Sequence, residues 1–432
     1  MTSIVQAPKR VVNVALAGCG VVGGGVVEIL KARTDYFSSL GIEFCIRKIL
    51  VNNVNKKRDY KLPKGAVFTS SLDDVLSDPL VDLVVEVMGG VTDARTVVFG
   101  ALEAGKSVVT ANKALISKFM PELEKTLKGV ADNVYFGYEA SVGGGIPIVK
   151  SLQRDIVSVD EVTQISGILN GTTNYMLSKM NSSGCSYEEA LKEAQQLGFA
   201  EADPTADVEG HDARSKTSIL CRLGLGVALK GEDISCTGIS GLTSDDLAYA
   251  KLLRCTIKLL GVCKQSSSGI VRAFVSPVLV PNTNIIASTN GSTNIVEVRS
   301  KSLNVSSFVG SGAGRFPTAN SVVADMLEVA LGRMSEPFPV KKKGVYEKDF
   351  LGRFYIRINV CDCTGIIKTV GTVCEQHGVS INAVLQTPIE NRESLPFVVT
   401  TDETTASKVQ NVCDVLKENE WCLERPLALP FL

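Results

Sequence analysis

The sequence predicts an α/β protein with three parts: a doubly wound parallel sheet, an α+β domain with a mixed sheet, and a small α+β domain at the C-terminus. Three observations predict this. Strands and helices alternate through residues 11–128, which favours a parallel sheet covered on both faces. Alternating strand patterns fill residues 271–309. Residues 353–432 follow a β-α-β-β-α order.

The first domain opens with an apolar, β-branched strand at 11–17, a turn containing Gly18, Gly20 and Gly23, and then a helix. This context is typical of a dinucleotide-binding unit of the Rossmann type. We predict further strands and helices at 44–51, 72–76, 81–87, 92–104, 107–110 and 113–128. Residues 1–139 are assigned to this domain, and a helix at about 316–335 is expected to return to it.

The predicted second domain comprises residues 140–315 and is expected to have an α+β fold with a mixed sheet. It begins with a glycine loop at 142–147, and a second glycine loop at 310–314 leads into a helix at 319–331. Between the loops we predict strands at 159–169, 271–280, 285–289, 293–299 and 304–309, and helices at 172–181, 186–196 and from Gly210.

A polar linker is predicted at 336–352, where Lys341, Lys342 and Lys343 follow one another. Residues 353–432 then form the third domain. Its predicted elements are 354–360, 366–377, 379–385, 396–401, 406–419 and a short last strand at 421–424. This order indicates a ferredoxin-like split βαβ unit.

Charge and composition exclude several classes of protein. The 45 Lys and Arg nearly balance the 46 Asp and Glu, so the concentrated positive patch of a nucleic-acid-binding protein is missing. No apolar run approaches the roughly 20 residues of a membrane span. The first strand begins at Val11, too early for a leader peptide of about 15–30 residues, so we expect a cytoplasmic protein. The 12 cysteines include no CxxC pair and are expected to be free thiols.

The glycine turn predicts a cofactor site. Gly18 permits the tight turn, Gly20 lets the backbone approach a pyrophosphate, and Gly23 lets the helix pack on the strand. Val21 and Val22 complete the turn and begin the helix whose N-terminus faces the phosphates.

The second strand ends without the acid that would bind a ribose 2′-hydroxyl about 20 residues after the glycines. Lys56, Lys57 and Arg58 follow instead. A cationic strand end suits a 2′-phosphate, so NADP is favoured over NAD; a solvated charge run remains the alternative.

With only two histidines, a base of the lactate dehydrogenase type is disfavoured, yet a dehydrogenase needs a proton donor beside the reacting carbonyl. Asp212 and Lys216 stand four apart on the helix that opens after Gly210, so they are neighbours on one face. The carboxylate would hold the ammonium and favour its charged form. The alternative is a surface ion pair worth a few tenths of a kcal/mol.

Two other segments follow predicted strands. Thr110 and Lys113 lie where a parallel strand meets its helix, the usual place for ligand contacts; Lys113 is either a second reactive lysine or an exposed one. Glu139 precedes the first glycine loop, and its carboxylate with nearby carbonyls suits Na⁺ or K⁺.

Together these segments resemble the homoserine dehydrogenase family over nearly the whole chain. The matching stretches are GCGVVGGGV (18–26), VEVMGG (85–90), VVTANKAL (108–115), EASVGGGIP (139–147), GILNGTTNYM (167–176), GFAEADPTADVEGHDARSK (198–216) and GSGAGRFPTA (310–319). The resemblance implies reversible, NAD(P)H-dependent reduction of L-aspartate 4-semialdehyde to L-homoserine in threonine, methionine and isoleucine biosynthesis. It also implies that residues 140–315 bind the substrate and form the dimer contact of a homodimer or higher homo-oligomer.

The resemblance further implies roles for individual residues. Lys216 would donate the proton in reduction and accept it in oxidation, with Lys113 as a second active-site lysine and Asp212 beside them. The substrate would be bound by Glu201, Asp207 and Asp212. The cofactor would be approached by Thr110, Lys113, Gly198, Glu201 and Gly312 besides the glycine turn. A monovalent cation would be held by Glu139 and the carbonyls of Val142, Gly144 and Ile146.

The C-terminal domain resembles an ACT amino-acid-sensing domain, which implies feedback control with threonine as the effector. Thr364 stands where the usual acid-x-Pro-Gly turn has proline, which puts ligand binding in doubt. We expect a monofunctional enzyme, because the nucleotide-binding fold begins almost at the first residue.

Two rival functions remain. Another semialdehyde or hydroxy-acid dehydrogenase could share the nucleotide-binding half, but aspartate semialdehyde dehydrogenase would need a cysteine paired with a histidine. An amino-acid sensor with an inactive dehydrogenase half is disfavoured by the intact Lys113, Glu201, Asp212 and Lys216.

Overall fold

The computed structural model describes residues 9–58, 60–338, 344–387 and 392–432. The chain divides into two compact units. The first comprises Met1–Thr163, Ser218–Gly231 and Val298–Lys343, and the second comprises Gln164–Thr217, Glu232–Glu297 and Gly344–Leu432. The domain boundaries expected from the sequence stay a prediction, and the linker residues Lys341, Lys342 and Lys343 lie outside the described residues.

The first unit begins with alternating strands and helices. The strands are β1 (Arg10–Ala17), β2 (Ile42–Leu50), β3 (Val67–Thr69), β4 (Leu83–Glu86), β5 (Ser107–Thr110) and β6 (Phe136–Gly137). The helices are α1 (Val21–Ala32), α2 (Thr34–Ser39), α3 (Asp73–Leu76), α4 (Thr92–Glu103) and α5 (Lys113–Leu127). The strands form one parallel sheet in the order β3-β2-β1-β4-β5-β6. The predicted parallel sheet is confirmed, with the strand order of dinucleotide-binding folds.

The middle of the chain forms most of a second, mixed sheet. After a 3₁₀ turn at Glu139–Ser141, α6 (Ile148–Lys150) continues as a π-helix at Ser151–Ile156. The helices that follow are α7 (Gly171–Ser183), α8 (Tyr187–Gln196), α9 (Thr205–Val208), α10 (His211–Leu225), α11 (Ser244–Leu252), α12 (Ile285–Ser288) and α13 (Arg315–Leu331). The strands are β7 (Val162–Ile168), β8 (Ser235–Cys236), β9 (Cys255–Gln265), β10 (Ile270–Pro281), β11 (Thr293–Ser300) and β12 (Asn304–Ser311).

Helix α13 packs on α1 within the first unit, as a helix that returns to this domain would. A Cβ atom at Gly25 of α1 would lie only 2.8 Å from the carbonyl oxygen of Arg315, so the two helices approach closely. Val26 of α1 and Val322 of α13 share one buried core with Leu16 of β1. The glycines of α1 therefore serve helix packing as well as the turn.

Two sequence expectations fail in the middle of the chain. A strand is predicted at 285–289, but Ile285–Ser288 form α12 because the Asn284 side chain accepts a hydrogen bond from the Ile286 N–H and starts a helical turn. The eleven-residue strand β9 was missed, although it pairs along its whole length with β10.

The C-terminal segment adds β13 (Val345–Tyr346) beside β10, and β14 (Leu351–Gly352) paired with β18 (Thr404–Thr405). It then forms a four-stranded antiparallel sheet in the order β16-β17-β15-β19. Its elements are β15 (Phe354–Val360), α14 (Ile366–Gln376), β16 (Ile381–Leu385), β17 (Leu395–Thr401), α15 (Ala406–Lys417) and β19 (Leu427–Pro430). The last strand predicted at 421–424 is wrong: that stretch makes one bridge, between Val360 and Cys422, and β19 completes the sheet.

All 12 cysteines lie in the described part of the chain and are free, as predicted. Among the described helices, none has the length and apolar character needed to cross a membrane.

Candidate active site

In the turn between β1 and α1, packing requires two of the three glycines. Gly18 adopts φ +94°, and a Cβ there would lie 2.7 Å from the Val87 carbonyl oxygen. A Cβ at Gly23 would lie 2.5 Å from the Gly18 carbonyl oxygen. A Cβ at Gly20 would meet no atom of the described residues within 4 Å, although α1 begins at the next residue, Val21. Position 20 therefore leaves the N-terminus of α1 open, as a phosphate site would require.

Tyr60 lies against this turn and was not predicted. Its hydroxyl is 2.8 Å from the Cys19 carbonyl oxygen and 2.6 Å from Cys19 Sγ. Burial raises the pKa of the Cys19 thiol, so the thiol stays protonated and serves packing. A tyrosine within an irregular stretch carries no motif, so the sequence offers no signal for it.

The cationic segment after β2 is partly ordered by its own backbone. The Arg58 guanidinium donates to the Lys56 carbonyl oxygen at 2.7 Å and to the Asn53 carbonyl oxygen at 3.1 Å, and it stacks 4.2 Å from the centre of the Phe68 ring. Lys57 is exposed. Arg58 is therefore held in one orientation and is not a freely solvated charge.

Hydrogen bonds join the loops that follow β4 and β5. Thr110 Oγ1 donates at 2.5 Å to the buried carboxylate of Glu86, and Asn112 Nδ2 donates at 2.7 Å to the Gly90 carbonyl oxygen. Burial raises the pKa of Glu86. The Asn112 side chain also caps α5, whose first residue is Lys113. The half-buried Lys113 is thereby held at the carboxyl end of the parallel strands, where such folds bind ligands.

The two predicted glycine loops meet within the first unit. A Cβ at Gly144 would lie 2.5 Å from the Gly312 carbonyl oxygen, so only glycine fits. The Gly144 carbonyl oxygen accepts from Ser321 Oγ at 2.6 Å, and the Ile146 carbonyl oxygen accepts from the Ile148 N–H at 2.8 Å. A carbonyl oxygen has two lone pairs, so these bonds leave capacity for a cation. The fully buried Val142 belongs to the same loop.

Glu139 precedes this loop and is buried beside a second acid. Its carboxylate accepts from the backbone N–H groups of Val149 and Lys150 at 2.9 and 2.8 Å. Asp325 accepts from the Glu139 N–H at 2.8 Å and pairs with Lys150 Nζ at 2.9 Å. Burial, and then the charge of Asp325, raise the pKa of Glu139 to about 7.

The donor set at Glu139 suits a hard, weakly charged cation. The described residues contain no group of three or more His, Cys, Asp or Glu side chains arranged to hold a metal ion. Backbone carbonyl oxygens would therefore have to supply most of the ligands. Hard cations bind oxygen ligands of this kind. A positive ion would also lower the cost of burying negative charge here.

In the second unit, Asp212 and Lys216 lie on one face of α10, as their spacing predicts. Lys216 Nζ is 2.6 Å from Asp212 Oδ2 and donates at 2.6 Å to the Leu169 carbonyl oxygen. The two side chains are only 9% and 11% exposed. The alternative of a solvated surface pair is therefore wrong.

Asn170 joins this pair to a third acid. Its Nδ2 donates to Asp207 Oδ1 at 2.7 Å and to Asp212 Oδ2 at 3.0 Å, while its Oδ1 accepts from the Thr173 N–H and caps α7. Burial raises the pKa of Asp207, and the hydrogen bond from Asn170 opposes that rise. Asn170 was not predicted as a site residue, because its position before a helix already explained it as an N-cap.

Gly198 and Glu201 lie in the exposed segment between α8 and α9. Gly198 has φ +77°, and the Glu201 carbonyl oxygen accepts from Gln195 Nε2 at 3.2 Å. Within the described residues, the Glu201 carboxylate makes no hydrogen bond or ion pair. The structure brings together Asp207, Asp212 and Lys216, but it does not bring Glu201 into their network.

Comparison with known proteins gives one consistent answer. Residues 18–136 match the family model "Homoserine dehydrogenase, NAD binding domain", and residues 147–327 match the model "Homoserine dehydrogenase". The chain is 39% identical to homoserine dehydrogenase of Bacillus subtilis over 420 residues, which covers 95% of this chain and 96% of that protein. It is 35% identical to the Pseudomonas aeruginosa enzyme, with 95% and 96% covered. The crystal structure of a homoserine dehydrogenase from Thiobacillus denitrificans superposes with a TM-score of 0.89 at 30% identity, covering 98% of this chain and 99% of that one.

Proposed function

The chain belongs to the homoserine dehydrogenase family, and from that premise we propose which of its residues carry the reaction. It is a nicotinamide-dependent oxidoreductase that interconverts L-aspartate 4-semialdehyde and L-homoserine. A bound nicotinamide cofactor supplies or accepts the hydride. The protein must bind the substrate, orient it, and move one proton at its oxygen.

Lys216 is the group that moves this proton. In reduction its ammonium gives a proton to the oxygen that becomes the hydroxyl, and in oxidation its neutral amine takes the proton back. The observation that carries this assignment is its buried Nζ, fixed by Asp212 Oδ2 and by the Leu169 carbonyl oxygen, each at 2.6 Å. Two fixed oxygen contacts orient the lysine more strictly than water would.

The remaining polar side chains of the second unit bind the substrate. Asp207 and Asp212 provide negative charge for its ammonium group, and the shared bond from Asn170 fixes their spacing. Glu201 would reach the ammonium from the exposed segment and would also approach the cofactor with Gly198. Lys113 is the second active-site lysine, and which of the two lysines dominates proton transfer is a question for mutation.

The cofactor would be NADP. Gly18, Gly20 and Gly23 shape the pyrophosphate turn, and Thr110 and Gly312 belong to the loops beside it in the first unit. Arg58 and Lys57 would bind the 2′-phosphate. The fixed guanidinium of Arg58 and the lack of an acid at the end of β2 support this preference.

A monovalent cation would be held by Glu139 and the carbonyls of Val142, Gly144 and Ile146. The buried charge of Glu139 and Asp325 and the free lone pairs of the carbonyls support the assignment. The test is a thermal scan of the protein in choline, Na⁺ and K⁺ chlorides at equal ionic strength. A melting temperature that rises only with one metal cation is expected. Equal melting temperatures would remove the cation from the site.

The C-terminal segment would be an ACT-like regulatory module. Its β-α-β-β-α-β order and its antiparallel sheet support this. Asp246 of α11 anchors the module: its carboxylate pairs with Arg357 at 2.8 Å and accepts from the Tyr355 hydroxyl at 2.8 Å. An effector such as threonine would then act on the substrate-binding unit through α11. A homodimer and a cytoplasmic location also stay proposals.

The deciding experiment measures absorbance at 340 nm with L-homoserine and either NADP⁺ or NAD⁺, with and without threonine. We expect a higher kcat/KM for NADP⁺ and a loss of rate with threonine. Equal constants for the two cofactors would reject the role of Arg58, and an unchanged rate with threonine would reject the sensing role of the module. Absence of any homoserine-dependent signal would reject the assigned chemistry.

A further inference from the structure

Two buried asparagines of the second unit differ in how their amides are satisfied. Asn174 on α7 and Asn294 on β11 are each 1% exposed. Asn174 Nδ2 donates to the carbonyl oxygens of Thr289 and Thr293 at 3.1 and 3.0 Å, and its Oδ1 accepts from Lys258 Nζ at 3.0 Å. The chain itself therefore satisfies the amide of Asn174.

The amide of Asn294 is different. Among the described residues, neither its Oδ1 nor its Nδ2 has a hydrogen-bond partner. A buried polar group without a partner is costly and rare in native proteins, so an amide in this state calls for a partner beyond the chain's own groups.

Asn294 lies beside the functional cluster of the same unit. Its Oδ1 is 3.6 Å from the position of a Cβ on Gly171, the first residue of α7. Gly171 directly follows Asn170, whose side chain binds Asp207 and Asp212. The amide is thus close to the N-terminus of a 13-residue helix, where backbone N–H groups and the helix dipole favour an anion.

We propose that Asn294 is a substrate-binding residue that recognises the carboxylate of homoserine and of aspartate semialdehyde. The inference rests on the proposed function, in which this unit binds the substrate. The acids around Lys216 suit the substrate's ammonium and would repel its carboxylate. Asn294 is neutral, and a half-turn of its amide exchanges the Oδ1 near the positive end of α7 for Nδ2 with its two N–H donors, so it suits the carboxylate.

The test compares two variants that carry the same substitution. Asn294→Leu removes an amide without a partner among the described residues, and Asn174→Leu removes an amide whose hydrogen bonds are satisfied. For Asn294→Leu we expect an unchanged or higher melting temperature, unchanged NADP⁺ affinity, and a homoserine KM raised about tenfold or more, as for a lost hydrogen bond to a charged group. For Asn174→Leu we expect a lower melting temperature.

A ligand without a carboxylate identifies the group that is recognised. The inhibition constant of 3-amino-1-propanol, which keeps the amine and the alcohol, should be the same in wild type and Asn294→Leu. A wild-type KM in Asn294→Leu would overturn the inference, as would an equal loss of affinity for homoserine and 3-amino-1-propanol. Either result leaves the wild type active, whereas failure of the proposed function would leave the wild type inactive.

Discussion

The cofactor edge of the first unit is the turn that contains Gly18, Gly20 and Gly23, and it is formed by backbone. The acid–lysine cluster of the second unit is formed by side chains. The edge is shaped by backbone: a Cβ at Gly18 or Gly23 would collide with a carbonyl oxygen, whereas a Cβ at Gly20 would meet no described atom, and Gly20 is the proposed point of approach for the cofactor. The cluster is made of side chains, with Asn170, Asp207, Asp212 and Lys216 joined by hydrogen bonds within a largely buried space.

The difference teaches that binding and chemistry should respond separately to mutation. A change at the backbone-built edge alters the shape available to a phosphate and leaves the charges of the cluster intact. A change in the cluster alters the proposed proton donor or its partners and leaves the glycine turn intact. Each substitution should therefore change either cofactor binding or turnover, and a variant that changes both would contradict the separation.

The largest effect is expected from Lys216→Ala. Turnover should fall by about two to four decades, the usual contribution of a general acid or base, because no other ammonium is held between Asp212 and the Leu169 carbonyl oxygen in the described structure. Steady-state rates measure turnover. A fluorescence titration measures NADPH affinity, which should stay near the wild-type value. The exposed Lys192→Ala is the control and should keep wild-type turnover. Loss of NADPH affinity in Lys216→Ala would break the separation.

Substitutions at Gly20 and Gly23 test the cofactor edge. Gly20→Ala should keep the melting temperature, because its Cβ would touch no described protein atom, but weaken NADPH binding about tenfold or more, because in the proposed site the Cβ would hinder the approach of the phosphates. Gly23→Ala should instead cost about 1–3 kcal/mol of stability, because its Cβ would lie 2.5 Å from the Gly18 carbonyl oxygen. Thermal scans measure the stability of both variants, and NADPH titrations measure their cofactor affinity. Wild-type NADPH affinity in Gly20→Ala would contradict the assigned role.

Arg58→Ala should change cofactor choice. We expect kcat/KM with NADP⁺ to fall about tenfold, since a charge-assisted contact to the 2′-phosphate is lost, and the value with NAD⁺ to stay constant. The NAD⁺ measurement is the internal control. Equal losses with both cofactors would mean that Arg58 only supports the loop through its bonds to Lys56 and Asn53.

Lys258 bears on stability and not on turnover, and it contrasts with Lys216 because its hydrogen-bond acceptors are neutral. It is 1% exposed and donates to Asn174, Thr289 and Asn290, which are all neutral acceptors. Burial lowers the pKa of Lys258 to about 8, against about 10.4 in an unfolded chain. Between these values the unfolded state holds a proton that the folded state has lost, so the lysine's contribution to stability rises with pH.

Lys258→Met should remove this rise. Urea titrations at pH 7, 8.5 and 10 give the free energy of unfolding, and the difference between wild type and variant should change by up to about 3 kcal/mol across the series. Lys179→Met, which alters a partly exposed ion pair with Glu193, is the control; the contact with Glu193 raises the pKa of Lys179, so the difference should show little pH dependence over this series. Parallel profiles for wild type and Lys258→Met would show that Lys258 keeps its proton throughout.

Much of the first unit could be predicted because its signals are local. The run of β-branched residues before Gly18, the glycine spacing and the alternation through α5 each depend on a few neighbouring residues. The same holds for Asp212 and Lys216, whose proximity follows from helical geometry alone. Predictions failed where a local pattern was ambiguous: Ile285 and Ile286 suit a strand, yet one side chain at Asn284 starts a helix there.

The sequence by itself determined the parallel sheet, the glycine turn and the neighbouring pair on α10, because short-range sterics and helical periodicity dictate them. Only the tertiary structure decided that this pair is buried, that Asn170 joins it to Asp207, that Tyr60 lies on the glycine turn, and that Asn294 is left without a partner in the described chain. Burial and hydrogen-bond partners depend on residues distant in sequence, and no local pattern carries that information.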